Sequence, residues 1–243
     1  MHSIKLLHLL KSCILTLCFI FPFALQGTVL KAAPLDQAEA TQIMADTITI
    51  SGYLALKGEE SYKDKPQNVL RAAIFAAYNA KMEFNLEQSV RKEDGEELLP
   101  PTSTIFAVGG KKFLPDDVLS REDNPELFEG IPEQYGVFVT KNGVELAALQ
   151  FTGHKVSHTQ KLECEGFLCD SIPNSKGYYA NIEGLGDLGV EPELMNVQET
   201  KNGFILEVKL VQTMGEESEA PKFIRLELTP GEAPGTWKTK YLE

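Results

Sequence analysis

Apolar residues in the segment from Pro66 to Met82 recur at intervals of three and four, most clearly at Val69, Ala73 and Ala77. This period places them on one face of an α-helix, and proline is well tolerated in a first helical turn. The alanines on this face leave room for close approach to another element. The sequence therefore predicts one principal helix over about 66–82, packed across a face of a β-sheet.

The segments on either side of this helix carry weaker patterns. Residues 35–46 favour a short helix, because acidic residues stand near its start, where the helix dipole prefers them. Residues 47–57 alternate between apolar and polar side chains from Ile48 to Leu56, which predicts a half-buried strand. Residues 83–90 fit either a strand or a continuation of the principal helix.

Beyond residue 101 the pattern changes to short alternating or apolar runs, which are typical of strands. Such runs occur at 104–108, 135–140, 144–151, 177–182, 204–213, 222–228 and 236–241. Segment 112–134 is acidic and irregular, and it fits either a flap over a cleft or a surface excursion. The order of elements predicts an α+β fold with one mainly antiparallel, twisted sheet of about six to eight strands.

The tetrapeptide Thr-Lys-Asn-Gly occurs twice, at Thr140–Gly143 and Thr200–Gly203. Asn-Gly between apolar runs is typical of a type I′ hairpin turn, which needs positive φ at both central residues. Each copy therefore predicts an antiparallel hairpin, and the acidic loop after residue 213 predicts a third pairing. The predicted pairs are 135–140 with 144–151, 194–200 with 204–213, and 204–213 with 222–228.

The first 32 residues resemble a secretory signal peptide. A basic start is followed by the unbroken apolar run from Cys13 to Leu25, with small residues suited to cleavage at Gly27 and Ala32. A membrane-anchoring helix is the alternative, but this run is shorter than the roughly 20 apolar residues that span a bilayer. We expect residues 1–32 to be removed and 33–243 to form one domain, with a possible internal boundary at the acidic, Pro-Pro-containing loop 91–101.

Charge narrows the classes of partner. The chain carries a formal net charge of −12, and removing residues 1–32 takes away three lysines and no acid, which lowers it to −15. A surface this acidic repels nucleic-acid phosphates and anionic lipids. We therefore expect no nucleic-acid partner, no membrane span after cleavage, and a periplasmic or secreted protein.

The histidines and cysteines outside the leader all lie in one short stretch, at His154, His158, Cys164 and Cys169. Two nearby thiols in an oxidising compartment form a disulfide, so the sequence predicts a Cys164–Cys169 bridge, worth about 2 kcal/mol for so short a loop. The alternative is a tetrahedral zinc or Cu(I) site made by all four residues. Free or reactive thiols are a third possibility.

The other chemical motifs do not indicate a specific activity or cofactor. Gly-x-Ser-x-Gly and His-Glu-x-x-His are absent. Gly184 to Gly189 matches a dinucleotide-binding pattern, but Pro192 follows where the binding helix would have to run, so we expect no cofactor. Tyr178 and Tyr179 would face opposite sides of a strand, so at most one of them is expected to face the core. Trp237 is expected to cover a sheet edge.

These features predict an exported, non-catalytic binding or interaction module of the cell envelope. Two alternatives remain open. One is a secreted hydrolase with a groove near 112–134, and the other is a metal carrier that uses the stretch with His154, His158, Cys164 and Cys169.

The thiol state can be tested by intact mass spectrometry of the mature protein, purified without reductant and measured under native and denaturing conditions. We expect a mass that lacks the two thiol hydrogens, with no metal bound, because the Cys164–Cys169 bridge forms on export. One equivalent of zinc or copper with both thiols unoxidised would contradict the disulfide and establish the metal site.

Overall fold

Two long helices open the structure, a computed structural model that describes residues 35–56, 66–156, 158, 171–182, 190–212 and 222–242. These residues all belong to one unit of the chain, Pro34–Glu243. The helices are α1 (Gln37–Leu56), α2 (Pro66–Glu93) and the short α3 (Lys141–Ala147), which continues into a π-helical turn at Ala148–Thr152. No helix within these ranges combines the length and apolarity of a membrane span.

Among the described residues the first six strands have three or four residues each, and the last four have six to ten. They are β1 (Phe106–Val108), β2 (Lys111–Phe113), β3 (Val118–Ser120), β4 (Val137–Thr140), β5 (Ser171–Pro173), β6 (Gly177–Ala180), β7 (Val190–Glu199), β8 (Phe204–Gln212), β9 (Lys222–Pro230) and β10 (Trp237–Leu242). Single turns of 3-10 helix lie at Pro115–Asp117 and Pro125–Phe128.

The strands pair antiparallel throughout and form three sheets. The central sheet has the order β3-β4-β6-β5, the C-terminal sheet has the order β10-β9-β8-β7, and β1 with β2 makes a two-stranded ribbon. The α+β class with antiparallel strands and a helix packed on them is thus confirmed. The expectation of one continuous sheet is wrong, because the strands divide among two four-stranded sheets and the two-stranded ribbon.

Helix α2 confirms the principal helix and extends it to Glu93. Its predicted apolar face is buried, and it packs mainly on α3 and the π-helical turn while also touching β3 and β4. Residues 83–90 continue the helix, supported by the ion pair from Arg91 to Glu87 at 2.9 Å. The helix ends in a Schellman motif, in which Gly95 has φ 73° and the backbone N–H of Glu96 donates to the carbonyl of Arg91 at 2.8 Å.

The predicted strand at 47–57 is wrong, because α1 runs through it. The Asp36 carboxylate caps the helix by accepting from the backbone N–H of Glu39 at 2.8 Å. The buried residues Ala40, Met44 and Ile48 are spaced by four, so a helical period underlies the alternation. Packing of this face against the C-terminal sheet and α2 outweighs the strand preference of the isoleucines.

The hairpin predicted at Thr140–Gly143 is also wrong, because this tetrapeptide begins α3. The Thr140 hydroxyl accepts from the backbone N–H of Gly143 at 2.9 Å, as an N-cap residue does, and donates to Asp117 at 2.6 Å. The Asn142 amide also donates to the Asp117 carboxylate, at 3.1 Å. These contacts hold the turn in a helical conformation, so residues 144–151 do not form a strand.

The second copy, Thr200–Gly203, does connect a hairpin. β7 and β8 pair from Glu199 with Phe204, and β8 pairs with β9, as predicted. No residue from 200 to 203 has positive φ, so the connection is a four-residue loop rather than a type I′ turn. Gly203 is required for another reason, since a Cβ there would overlap the carbonyl oxygen of Leu228 on β9.

Both faces of the central sheet are covered, which corrects the expectation for the tyrosine pair. Tyr178 is 1% exposed in the main core beneath α2 and α3, and Tyr179 is 5% exposed in a second core on the other face. Segment 112–134 supplies this second cover, because Phe128 packs edge-on against Tyr179 with ring centroids 5.3 Å apart. The Arg121 guanidinium holds the segment in place by donating to backbone carbonyls within 131–135.

The two copies of the tetrapeptide offer a matched test. Thr140→Ala removes the α3 cap and one partner of buried Asp117, so we expect it to lower the free energy of unfolding by about 1–3 kcal/mol. The Thr200 hydroxyl makes no hydrogen bond within the described residues, so Thr200→Ala should change stability by less than about 0.5 kcal/mol. Urea unfolding followed by circular dichroism measures both, and equal losses would contradict the assigned cap.

Candidate functional site

A chain of polar side chains crosses the described structure at His158. Its Nδ1 lies 2.7 Å from the Tyr178 hydroxyl, and its Nε2 lies 3.1 Å from Oε1 of Glu145. The ring also stacks on Tyr178, with centroids 5.7 Å apart. Lys111 on the ribbon lies 3.6 Å from the other oxygen of Glu145. These contacts therefore link His158 to α3, to β6 and, through Glu145, to the ribbon.

The partners of His158 fix the form of its neutral ring. A carboxylate only accepts, so Nε2 carries the proton donated to Glu145, and Nδ1 accepts from the Tyr178 hydroxyl. Carboxylate, imidazole and hydroxyl in this order have the layout of a nucleophilic triad, with a phenol where a serine would stand. A catalytic role would require the Tyr178 hydroxyl to act as the nucleophile.

The burial of Tyr178 argues against a nucleophilic role for its hydroxyl. The residue is 1% exposed, and burial, with a smaller contribution from Glu145, raises the pKa of its hydroxyl above the ordinary 10.0. The phenol therefore stays protonated at neutral pH and lies inside the main core. Glu145, His158 and Tyr178 instead form a hydrogen-bonded group that fixes the position of His158 on the core. We name this group the lock around His158.

His154 belongs to a different contact. Its Nδ1 lies 3.6 Å from the Glu232 carboxylate, which accepts a hydrogen bond from Lys238 at 3.0 Å. The hydrogen bond from Lys238 lowers the pKa of Glu232. Gly153, which precedes His154, has φ 67°. A Cβ there would approach the Trp237 carbonyl oxygen to 2.5 Å, so only glycine fits between the π-helical turn and β10.

The two histidines thus contact different carboxylates, Glu232 and Glu145. Cys164 and Cys169 lie outside the described residues, as does the glycine pattern from Gly184 to Gly189. Among the described residues no three His, Cys, Asp or Glu side chains gather at metal-binding distance. The disulfide and the four-residue metal site stay predictions.

Two surface depressions lie on the C-terminal sheet. One, of about 480 Å³, lies beside β7 and the start of α1, and the other, of about 450 Å³, includes Phe223 and Leu242. Met195 contributes to both and stands at the bulge in β7. Segment 112–134, by contrast, packs its own apolar side chains against the central sheet.

The long helix carries an apolar surface that the sequence pattern did not single out. Met82, Leu86 and Val90 are exposed by 45%, 66% and 49%, and their spacing of four aligns them on one side of α2. We name these three residues the α2 stripe. At 3.6 residues per turn, Leu86 lies about 180° around the helix from the buried Ala77.

The half-buried side of this helical segment carries Phe84 and three polar residues, Lys81, Gln88 and Arg91. The Gln88 side chain accepts from the backbone N–H of Leu99 at 2.8 Å, and Arg91 pairs with Glu96 at 3.2 Å. Burial lowers the pKa of Lys81, while Asp116 and Asp123 raise it. Over residues 81–91 the helix therefore buries no side chain fully, and it exposes the α2 stripe among polar residues.

Comparison of the chain with models of known families, with curated proteins and with solved structures finds no match. Of the predicted site residues, the structure gives partners to His154 and His158. It adds Glu145, Tyr178 and the α2 stripe. The i, i+4 spacing of the stripe was the available signal, but it starts at the residue where the predicted helix ended.

The lock around His158 predicts a pH-dependent contribution to stability. Tyr178→Phe keeps the ring and removes the hydroxyl, so it should cost about 1 kcal/mol at pH 7. Because the pKa of Tyr178 is raised in the folded state, its contribution is present below pH 10 and is lost as pH rises through the folded value. The difference between wild type and variant, measured by urea unfolding, should shrink above about pH 10.

Leu146→Ala, in the same core but without a titrating group, is the control whose difference from wild type should stay constant with pH. A Tyr178→Phe difference that grows above pH 10 would contradict the raised pKa.

Proposed function

We propose that the chain is an exported, non-catalytic binding module of the cell envelope that presents the α2 stripe to a partner protein. The observation that carries this proposal is the exposure of the α2 stripe. Met82, Leu86 and Val90 remain exposed on one side of a helix whose other apolar face, from Val69 to Ala80, is buried. Apolar surface arranged in this way is typical of an interaction site.

The use of the described polar groups supports binding over catalysis. Asp117 accepts hydrogen bonds from three structural partners: Leu114, Thr140 and Asn142. Both ring nitrogens of His158 are engaged, and its phenol partner is buried. These groups are committed to holding the fold.

Export is supported by the leader-like first 32 residues and by the acidic surface that remains after their removal. The predicted Cys164–Cys169 bridge fits the same oxidising compartment. On this view the cell envelope is where the α2 stripe meets its partner.

The proposal is tested by replacing Leu86 with a photo-crosslinking amino acid in the native cells. We expect a discrete adduct with one other protein in the periplasmic or secreted fraction, because a residue 66% exposed at the centre of the stripe would lie in the interface. The same amino acid at Lys112, exposed on the ribbon, is the matched control and should give no such adduct.

His154→Ala lies outside the stripe and should leave the adduct intact, as expected of a module that does not depend on imidazole chemistry. A protein that stays in the cytoplasm, or one that gives equal adducts from positions 86 and 112, would overturn the proposal.

A further inference from the structure

We propose that the partner presents a basic amphipathic helix, whose apolar face packs on the α2 stripe and whose lysines or arginines pair with the acids beside it. This inference rests on the proposed function, because it names the class of partner for the same surface. It follows from the shape of the stripe and from the charges around it.

The shape of the stripe suits a helix. Met82, Leu86 and Val90 form one exposed row along α2, at a spacing of four residues. Two helices that pack lengthwise meet through such rows at spacings of three and four. A row of this kind is also how a helical surface recognises an amphipathic helix.

The rim of the stripe is acidic. At 100° per residue, Glu83 and Glu93 lie within about 60° of Leu86 around the helix, and Glu87 lies about 100° away. All three are exposed, and Glu87 is partly neutralised by Arg91. The lysines at 81 and 92 point about 120° or more away from Leu86.

The acidic field extends beyond the helix itself. Asp46 on α1 lies close enough to Glu83 for that carboxylate to add to the effect of burial in raising the pKa of Asp46. The mature chain as a whole carries a net charge of −15 if residues 1–32 are removed. Apolar surface with an acidic rim attracts a partner helix whose flanks are basic.

The same charges argue against a second copy of this chain as the occupant. Two stripes facing each other would bring Glu83 and Glu93 of both copies to one interface, and like charges across an interface are repulsive. The strong net negative charge of each copy adds to this repulsion.

The stripe is held ready for binding by the polar contacts behind it. Gln88 and Arg91 tie the helix to residues 96–99, and the Gly95 turn caps its end. A preformed surface loses little conformational freedom on binding, which favours affinity.

The experiment uses the full mature chain and two synthetic helical peptides of equal length. Both carry leucine along one face, and one has lysine and arginine at the flanking positions where the other has glutamate. Fluorescence anisotropy should show that the basic peptide binds at least about tenfold more tightly than the acidic peptide at low salt, and the preference should shrink at about 1 M salt, where screening is strong.

Two variants separate the contributions of apolar contact and charge. Leu86→Ser should weaken binding of the basic peptide by about tenfold or more, because it removes the central apolar contact. Glu83→Gln combined with Glu93→Gln keeps the stripe and removes two charges, so it should weaken binding about threefold and reduce the salt dependence. Circular dichroism confirms that each variant is folded.

The other outcomes overturn the inference in distinguishable ways. Binding of both peptides with equal affinity would show an apolar surface with no charge preference. A concentration-dependent dimer in sedimentation that Leu86→Ser abolishes would assign the stripe to a second copy. If neither peptide binds but position 86 still cross-links a protein in cells, the partner class is wrong while the binding function stands.

Discussion

The buried carboxylate of Asp117 sets the geometry from which much of the described fold follows. A charged group taken out of water must be compensated by hydrogen bonds, or its burial is strongly unfavourable. Asp117 is compensated by the backbone N–H of Leu114 at 3.0 Å and by the side chains of Thr140 and Asn142. These bonds fix where β4 ends and α3 begins, so α3 comes to lie between the central sheet and α2. The long helix is therefore held in place through a short one.

Two close approaches join the C-terminal sheet to this arrangement. Gly153 lies against the backbone of Trp237, and the backbone N–H of Glu232 donates to the carbonyl of Gly153 at 2.9 Å. On the other side of the same segment, His158 is held by Glu145 and Tyr178. Gly153 and His158 thus connect the main core to the last hairpin, and two of the four histidines of the chain, His154 and His158, lie in this stretch.

The local sequence pattern predicted the elements in which packing and local preference agree, such as α2 and the β7-β8-β9 meander. It failed where a residue distant in the sequence determines the local conformation. Thr140–Gly143 and Thr200–Gly203 are identical, yet one begins a helix because Asp117, more than twenty residues earlier, binds its threonine and asparagine. Tyr179 is buried because segment 112–134 returns over the sheet, which no period-2 pattern reveals. The partners of His158 on α3 and β6 likewise come together only in the fold. The spacing of the α2 stripe, in contrast, is present in the sequence, although it was not singled out there.

The glycine turn at Gly95 ends α2 and so limits how long a contact the α2 stripe can make. From Met82 to the end of the helix at Glu93 the axis rises about 17 Å, or about three turns. A helix laid along so short a surface buries less than the roughly 1,200–2,000 Å² typical of stable complexes. Contacts of this size are typical of weak, transient encounters. A partner helix bound here, as we propose, would therefore meet the protein in repeated brief encounters rather than in permanent assembly.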